Sequence, residues 1–140
     1  MSDSLISPAV GGTFYLLSAA LLAASSAKVA KNQHYFKSIP LMGVLGAFVF
    51  AAQMINFSIP ATGSSGHIGG GLLIAALLDP WASFLIMASI LTVQCLFFAD
   101  GGLLALGCNI FNLGFYPAFI GYPIFKKLTS MKGNQKLSSL

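Results

Sequence analysis

Residues 80–99 read PWASFLIMASILTVQCLFFA, an apolar run without a single charge, bounded by Asp79 on one side and Asp100-Gly101-Gly102 on the other. About 20 such residues in helical form cross the hydrocarbon core of a bilayer. The run therefore predicts a transmembrane helix opened by Pro80, with Trp81 at headgroup depth and a tight turn at Asp100. Composition agrees: of 140 residues, 56% are apolar and only 7% are charged, too few to keep a globular domain soluble.

Working toward the N-terminus from Asp79, the segment Ile68 to Leu78 is apolar but short. At about 1.5 Å per residue it covers roughly half of the hydrocarbon core. It follows SIPATGSSGHIGGG (residues 58–71), where Pro60 and glycines 63, 66, 69, 70 and 71 predict a backbone that is neither helix nor strand. Part of this loop is expected to dip into the membrane, where irregular backbone is tolerated only if protein surrounds it. Further back, Ile39 to Phe57 predicts a helix with Pro40 in its first turn, and Thr13 to Ala30 another, joined by the linker NQHYFKSIP. The start, MSDSLISPAVGGTFY, lacks a basic region before its first apolar run, so no cleaved signal peptide is expected.

Beyond Asp100, Leu103 to Phe125 predicts a fifth span, bent by Gly107, Gly114, Pro117, Gly121 and Pro123. The expected architecture is all-α: a polytopic transmembrane bundle of about five spans over residues 1–127, with a basic cytoplasmic tail at 128–140. Lys28, Lys31 and Lys37 form one basic cluster and Lys126, Lys127, Lys132 and Lys136 another. The positive-inside rule puts both in the cytoplasm, and five crossings satisfy both with the N-terminus outside. The first residues, the loop bearing His67 and the Asp100 turn then share the outer face.

Five amides, Gln53, Asn56, Gln94, Asn109 and Asn112, sit in or beside apolar spans and need partners there. They serve either helix-to-helix hydrogen bonding or the support of a buried polar site. His67, in the glycine-rich loop, is a competent ligand for cobalt, nickel, copper or zinc, but one histidine does not make a metal site. His34, among lysines, is expected to be a solvated loop residue. Cys95 and Cys108 lack a CxxC spacing and are expected to be buried, unpaired thiols. Ser65 and His67 stand two apart with no acid placed to orient an imidazole, which disfavours an intramembrane hydrolase. No GK[ST] ending follows GSSG, so no nucleotide site is expected, and the chain does not read as an enzyme.

The run PLMGVLGAFVFAAQMINFSIPATGSSGHIGGGLL (residues 40–73) and FFADGGLLALGCNIFNLGF (residues 97–115) resemble the CbiM/NikM family, with SGH, DGG and NIFN the specific motifs. The resemblance extends from about Asp3 to Lys127. It implies the substrate-binding membrane subunit of an energy-coupling-factor transporter. Such a subunit takes up Co²⁺ or Ni²⁺ beside a transmembrane coupling subunit and two cytoplasmic ATPase subunits, in the plasma membrane of a prokaryote, commonly for cobalamin biosynthesis. No permanent cofactor is implied.

In that family the metal is held by nitrogens: the N-terminal amine, the backbone nitrogen and imidazole of a second-position histidine, and the SGH histidine. The resemblance carries the last role to His67 and the amine to Met1, with Gln53, Asn56, Ser65, Asn109 and Asn112 as supporting candidates. Ser2 stands where the family has its second-position histidine, so either this member lacks that ligand or, as expected here, Met-His precedes Met1. Family members also continue past the fifth span, so a fragment or a split subunit is expected. The rival reading is a membrane scaffold that binds no solute.

Overall fold

A computed structural model describes residues 3–60 and 64–137. After a single 3₁₀ turn, Asp3–Leu5, the chain forms α1 (Pro8–Lys31), α2 (Gln33–Gln53), β1 (Asn56–Ile59), β2 (Ser64–His67), α3 (Gly71–Leu77) and α4 (Pro80–Phe98). It ends in a helical run made of α5 (Leu106–Ile110), a π-helical stretch (Phe111–Gly121) and α6 (Tyr122–Leu137). Among the described residues, α1, Tyr35–Gln53 of α2 and α4 are long and apolar enough to cross a membrane. The helical transmembrane class expected from composition is what the fold adopts.

The helix starts follow local chemistry. Ser7 caps α1, its Oγ accepting from the Val10 amide, and Pro8 fills the first helical position. Asp79 caps α4 in the same way, Oδ1 accepting from the Ala82 amide at 2.6 Å. The far end of α4 closes through Ala99 in the left-handed region, φ 50°, whose amide returns to the Gln94 carbonyl.

Several sequence expectations need correction. The linker between α1 and α2 contracts to Asn32, so His34 lies within α2 and not in a loop, and Pro40 is inside that helix and not in its first turn. Pro40 is tolerated because the Phe36 carbonyl it cannot serve belongs to an exposed turn. The glycine-rich segment is not wholly irregular: β1 and β2 pair antiparallel, Asn56 opposite His67 and Ser58 opposite Ser65. Backbone groups away from water must be paired, and a two-stranded ladder pairs them where propensity alone does not. The third apolar segment becomes helical only at Gly71, and the helix expected to end near Phe125 runs on to Leu137.

Helix α4 is the hub, touching α1, α2, α3, α5 and the π-helical stretch. Its side chains Phe84, Met87, Ile86, Ile90 and Leu91 form the core with Val49, Ile74, Leu106 and Ile110. The π-helical stretch surrounds Pro117, which has no amide to give the Leu113 carbonyl. Gly71 fits against that carbonyl; a Cβ there would lie 2.8 Å from the oxygen. Cys95 and Cys108 are buried and free, as expected.

Candidate metal-capture site

A chain of contacts connects the amino-terminal segment to Gln53 and to the hairpin that carries Asn56, Ser65 and His67. Its first link is the amino-terminal segment. Asp3 Oδ1 accepts from the Ala105 amide at 2.9 Å, and Gly102 lies so close to that carboxylate that no side chain fits between them. Behind it, the Tyr15 hydroxyl donates to the Leu103 carbonyl and Ser18 Oγ donates to the Gly107 carbonyl at 2.9 Å. Gly107 itself abuts the backbone of Phe14 and Tyr15, where a Cβ would lie 2.7 Å from the Tyr15 amide nitrogen. Small residues thus let two backbones meet and seal α1 onto the 102–107 segment.

The second link runs from this turn to α2. The Asp100 amide donates to the Gln94 carbonyl at 3.1 Å, and the Gln94 side chain crosses to α2, Nε2 donating to Gln53 Oε1 at 2.9 Å. Both glutamines are buried. Among the described residues the Gln53 Nε2 group has no partner.

The third link is the hairpin. Gln53 is the last residue of α2, and the Met54 and Ile55 amides still bond back to carbonyls of that helix. Asn56 follows at once and faces His67 across the ladder. Phe57 lies over Gly66, where a Cβ would approach its ring within 2.9 Å. On the exit side Gly70 presses onto Val49, and the Gly71 carbonyl accepts from Ser83 Oγ at 2.7 Å. The hairpin is therefore clamped at its root by Gln94 and at its exit by Val49 and Ser83.

Of the residues predicted from sequence, Asn56, Ser65 and His67 share this hairpin, and Gln53 stands at its root. Met1 lies outside the described residues. Asn109 is half-buried on α5. Asn112 is exposed on the π-helical stretch, which separates it from the buried polar groups. Sequence reasoning named Gln94 only as an amide in need of a partner and missed Asp3, Tyr15 and Ser18 as anchors. Ser18 left a faint signal as a small polar residue in an apolar helix. Among the described residues no cluster of three histidine, cysteine or acidic side chains could hold a metal.

The opposite end of the bundle carries the first basic cluster. Lys28 Nζ lies 4.5 Å from the centre of the Trp81 ring, joining the end of α1 to the start of α4.

Known proteins resemble this chain over most of its length. The chain is 41% identical over 126 residues to a putative fused nickel transport protein NikMN of Archaeoglobus fulgidus, covering 90% of this chain and 41% of the relative. A cobalt transport protein CbiM of Sorangium cellulosum is 37% identical over 61% of this chain and 38% of its own length. A crystal structure of a truncated transition metal transporter superposes with a TM-score of 0.85 at 34% identity, covering 94% of this chain and 61% of that one. The chain thus spans about two fifths of the length of these sequence relatives. The family model for CbiM, described as the cobalt uptake substrate-specific transmembrane region, matches residues 1–140. With its helical bundle, its anchored amino-terminal segment and its histidine hairpin, this membrane chain belongs to the CbiM family.

Proposed function

We propose that the chain forms the metal-capturing part of a cobalt or nickel importer, with His67 and the amino-terminal segment supplying the ligands. The observation that carries this reading is the continuous path from Asp3 through Ala105, Asp100, Gln94 and Gln53 to the hairpin of His67. It joins two segments far apart in sequence at one end of the bundle, as a shared ligand set requires. Nitrogen donors suit Co²⁺ and Ni²⁺, and a nitrogen-only site needs no carboxylate or thiolate.

The ligands in this proposal are the His67 imidazole and the amino-terminal nitrogens, starting with the amine of Met1. Asn56, Ser65 and Asn109 are supporting residues. The bundle is multi-pass in the plasma membrane, with its capture end outside and its lysines inside. The partners are a coupling membrane subunit and cytoplasmic ATPases, and the metal serves cobalamin biosynthesis.

Co²⁺ and Ni²⁺ titrations of the purified chain, with and without Met-His added before Met1, test the reading. Binding that strengthens with the extension and is lost in His67→Ala is the expected result. Equal binding in His67→Ala would remove His67 from the site, and no binding in any form would favour a scaffold role.

A further inference from the structure

The geometry points to Gln94 and Gln53 as a positioning pair that holds the root of the His67 hairpin in register with the amino-terminal anchor. This rests on the metal-capture reading and deepens it by assigning the residues that set the separation of the two ligand-bearing segments.

The pair is a poor device for stability alone. Two fully buried amides share one hydrogen bond at 2.9 Å, and Gln53 Nε2 is left without a partner among the described residues of an apolar bundle. A half-satisfied polar pair is weaker than the apolar packing that could replace it. Its distinguishing property is location. Gln53 ends α2 three residues before Asn56, which faces His67 across the ladder. The carbonyl of Gln94 accepts the Asp100 amide at the start of the turn that packs against Asp3. One side-chain bond therefore joins the two halves of the capture end, and its directionality fixes a register that leucine contacts would leave free to slide.

The decisive variant replaces both partners. Gln53→Leu with Gln94→Leu leaves no orphaned amide, so thermal stability is expected to hold or rise, which separates positioning from folding. Two readouts are taken on this double variant and on the parent, each carrying the Met-His extension. Hydrogen exchange at the amides of Asn56–Ile59 and Ser64–His67 is expected to speed up about tenfold or more while α4 stays protected, and Co²⁺ affinity is expected to fall about tenfold or more.

Unchanged hairpin exchange together with unchanged Co²⁺ affinity, in a stable double variant, would overturn the inference. If the parent fails to bind Co²⁺, the metal-capture reading fails on its own, and exchange still decides whether the pair holds the hairpin. A single Gln94→Asn variant, which keeps the amide but shortens its reach, is expected to be intermediate in exchange. Parent-like exchange in that variant would show that the bond's geometry is irrelevant and would count against positioning.

Discussion

The carboxylate of Asp3 accepts a hydrogen bond from the backbone amide of Ala105 at 2.9 Å, across 102 positions of sequence. Ala105 is fully buried, so this bond is what satisfies its amide away from water. Asp3→Ala is expected to destabilise the chain by about 1–3 kcal/mol, the cost of an unpaired buried donor. Asp3→Asn, which keeps a side-chain oxygen, should retain most of the parent's stability. Thermal unfolding in detergent distinguishes the two, and equal losses in both would remove the hydrogen bond as the cause.

Gly107→Ala should push α1 away from α5. The added carbon would lie 2.7 Å from the Tyr15 amide nitrogen, a backbone atom that cannot rotate aside. Overpacking of this kind costs about 1–3 kcal/mol. Gly12→Ala, where a Cβ meets nothing within 4 Å, is the matched control and should be neutral or slightly stabilising. The two melting temperatures measured side by side check the assignment.

Ser83→Ala removes the 2.7 Å bond that ties α4 to the Gly71 carbonyl. The expected loss is about 0.6–2 kcal/mol, typical of a hydrogen bond between helices in a membrane. Its local signature should be faster hydrogen exchange in α3 than in α1.

Ala99 holds φ 50° at the end of α4, a region that L residues enter at some cost and glycine enters freely. Ala99→Gly is expected to stabilise the chain by up to about 1 kcal/mol. A lower melting temperature would show that the Ala99 methyl contributes packing that outweighs the strain.

Lys28 over Trp81 puts the basic end of α1 beside the start of α4, so these two belong to one side of the membrane. Single cysteines at Lys31 and Ile6, in a background lacking Cys95 and Cys108, should respond oppositely to an impermeant thiol reagent on intact cells. Labelling at Ile6 with protection at Lys31 is expected for an outward amino terminus, and the reverse pattern would invert the bundle.

The helix formed by 80–99 was legible because its signals are local: an uncharged apolar run, Asp79 before Pro80, and an Asp-Gly-Gly turn after it. The cysteines were legible for a similar reason, since thiols inside apolar runs have nowhere polar to go. The hairpin was not. Its glycines argue against regular structure, and pairing of Asn56 with His67, eleven positions apart, satisfies those backbone groups. The length of α2 was also hidden, because Pro40 reads as a helix start unless the preceding turn is known to be exposed.

What the sequence by itself determined was the solvent, the main helices and the chemical identity of the ligand candidate, His67. Each is set by composition, by runs of neighbouring residues, or by a side chain's own chemistry. Only the tertiary structure decided which amide Gln53 meets, that Asp3 is anchored at Ala105, and that glycines 70, 71, 102 and 107 are points where backbones touch side chains or other backbones. Those pairings join residues many positions apart, and their energies depend on close packing and hydrogen-bond direction, neither of which leaves a period or a motif along the chain.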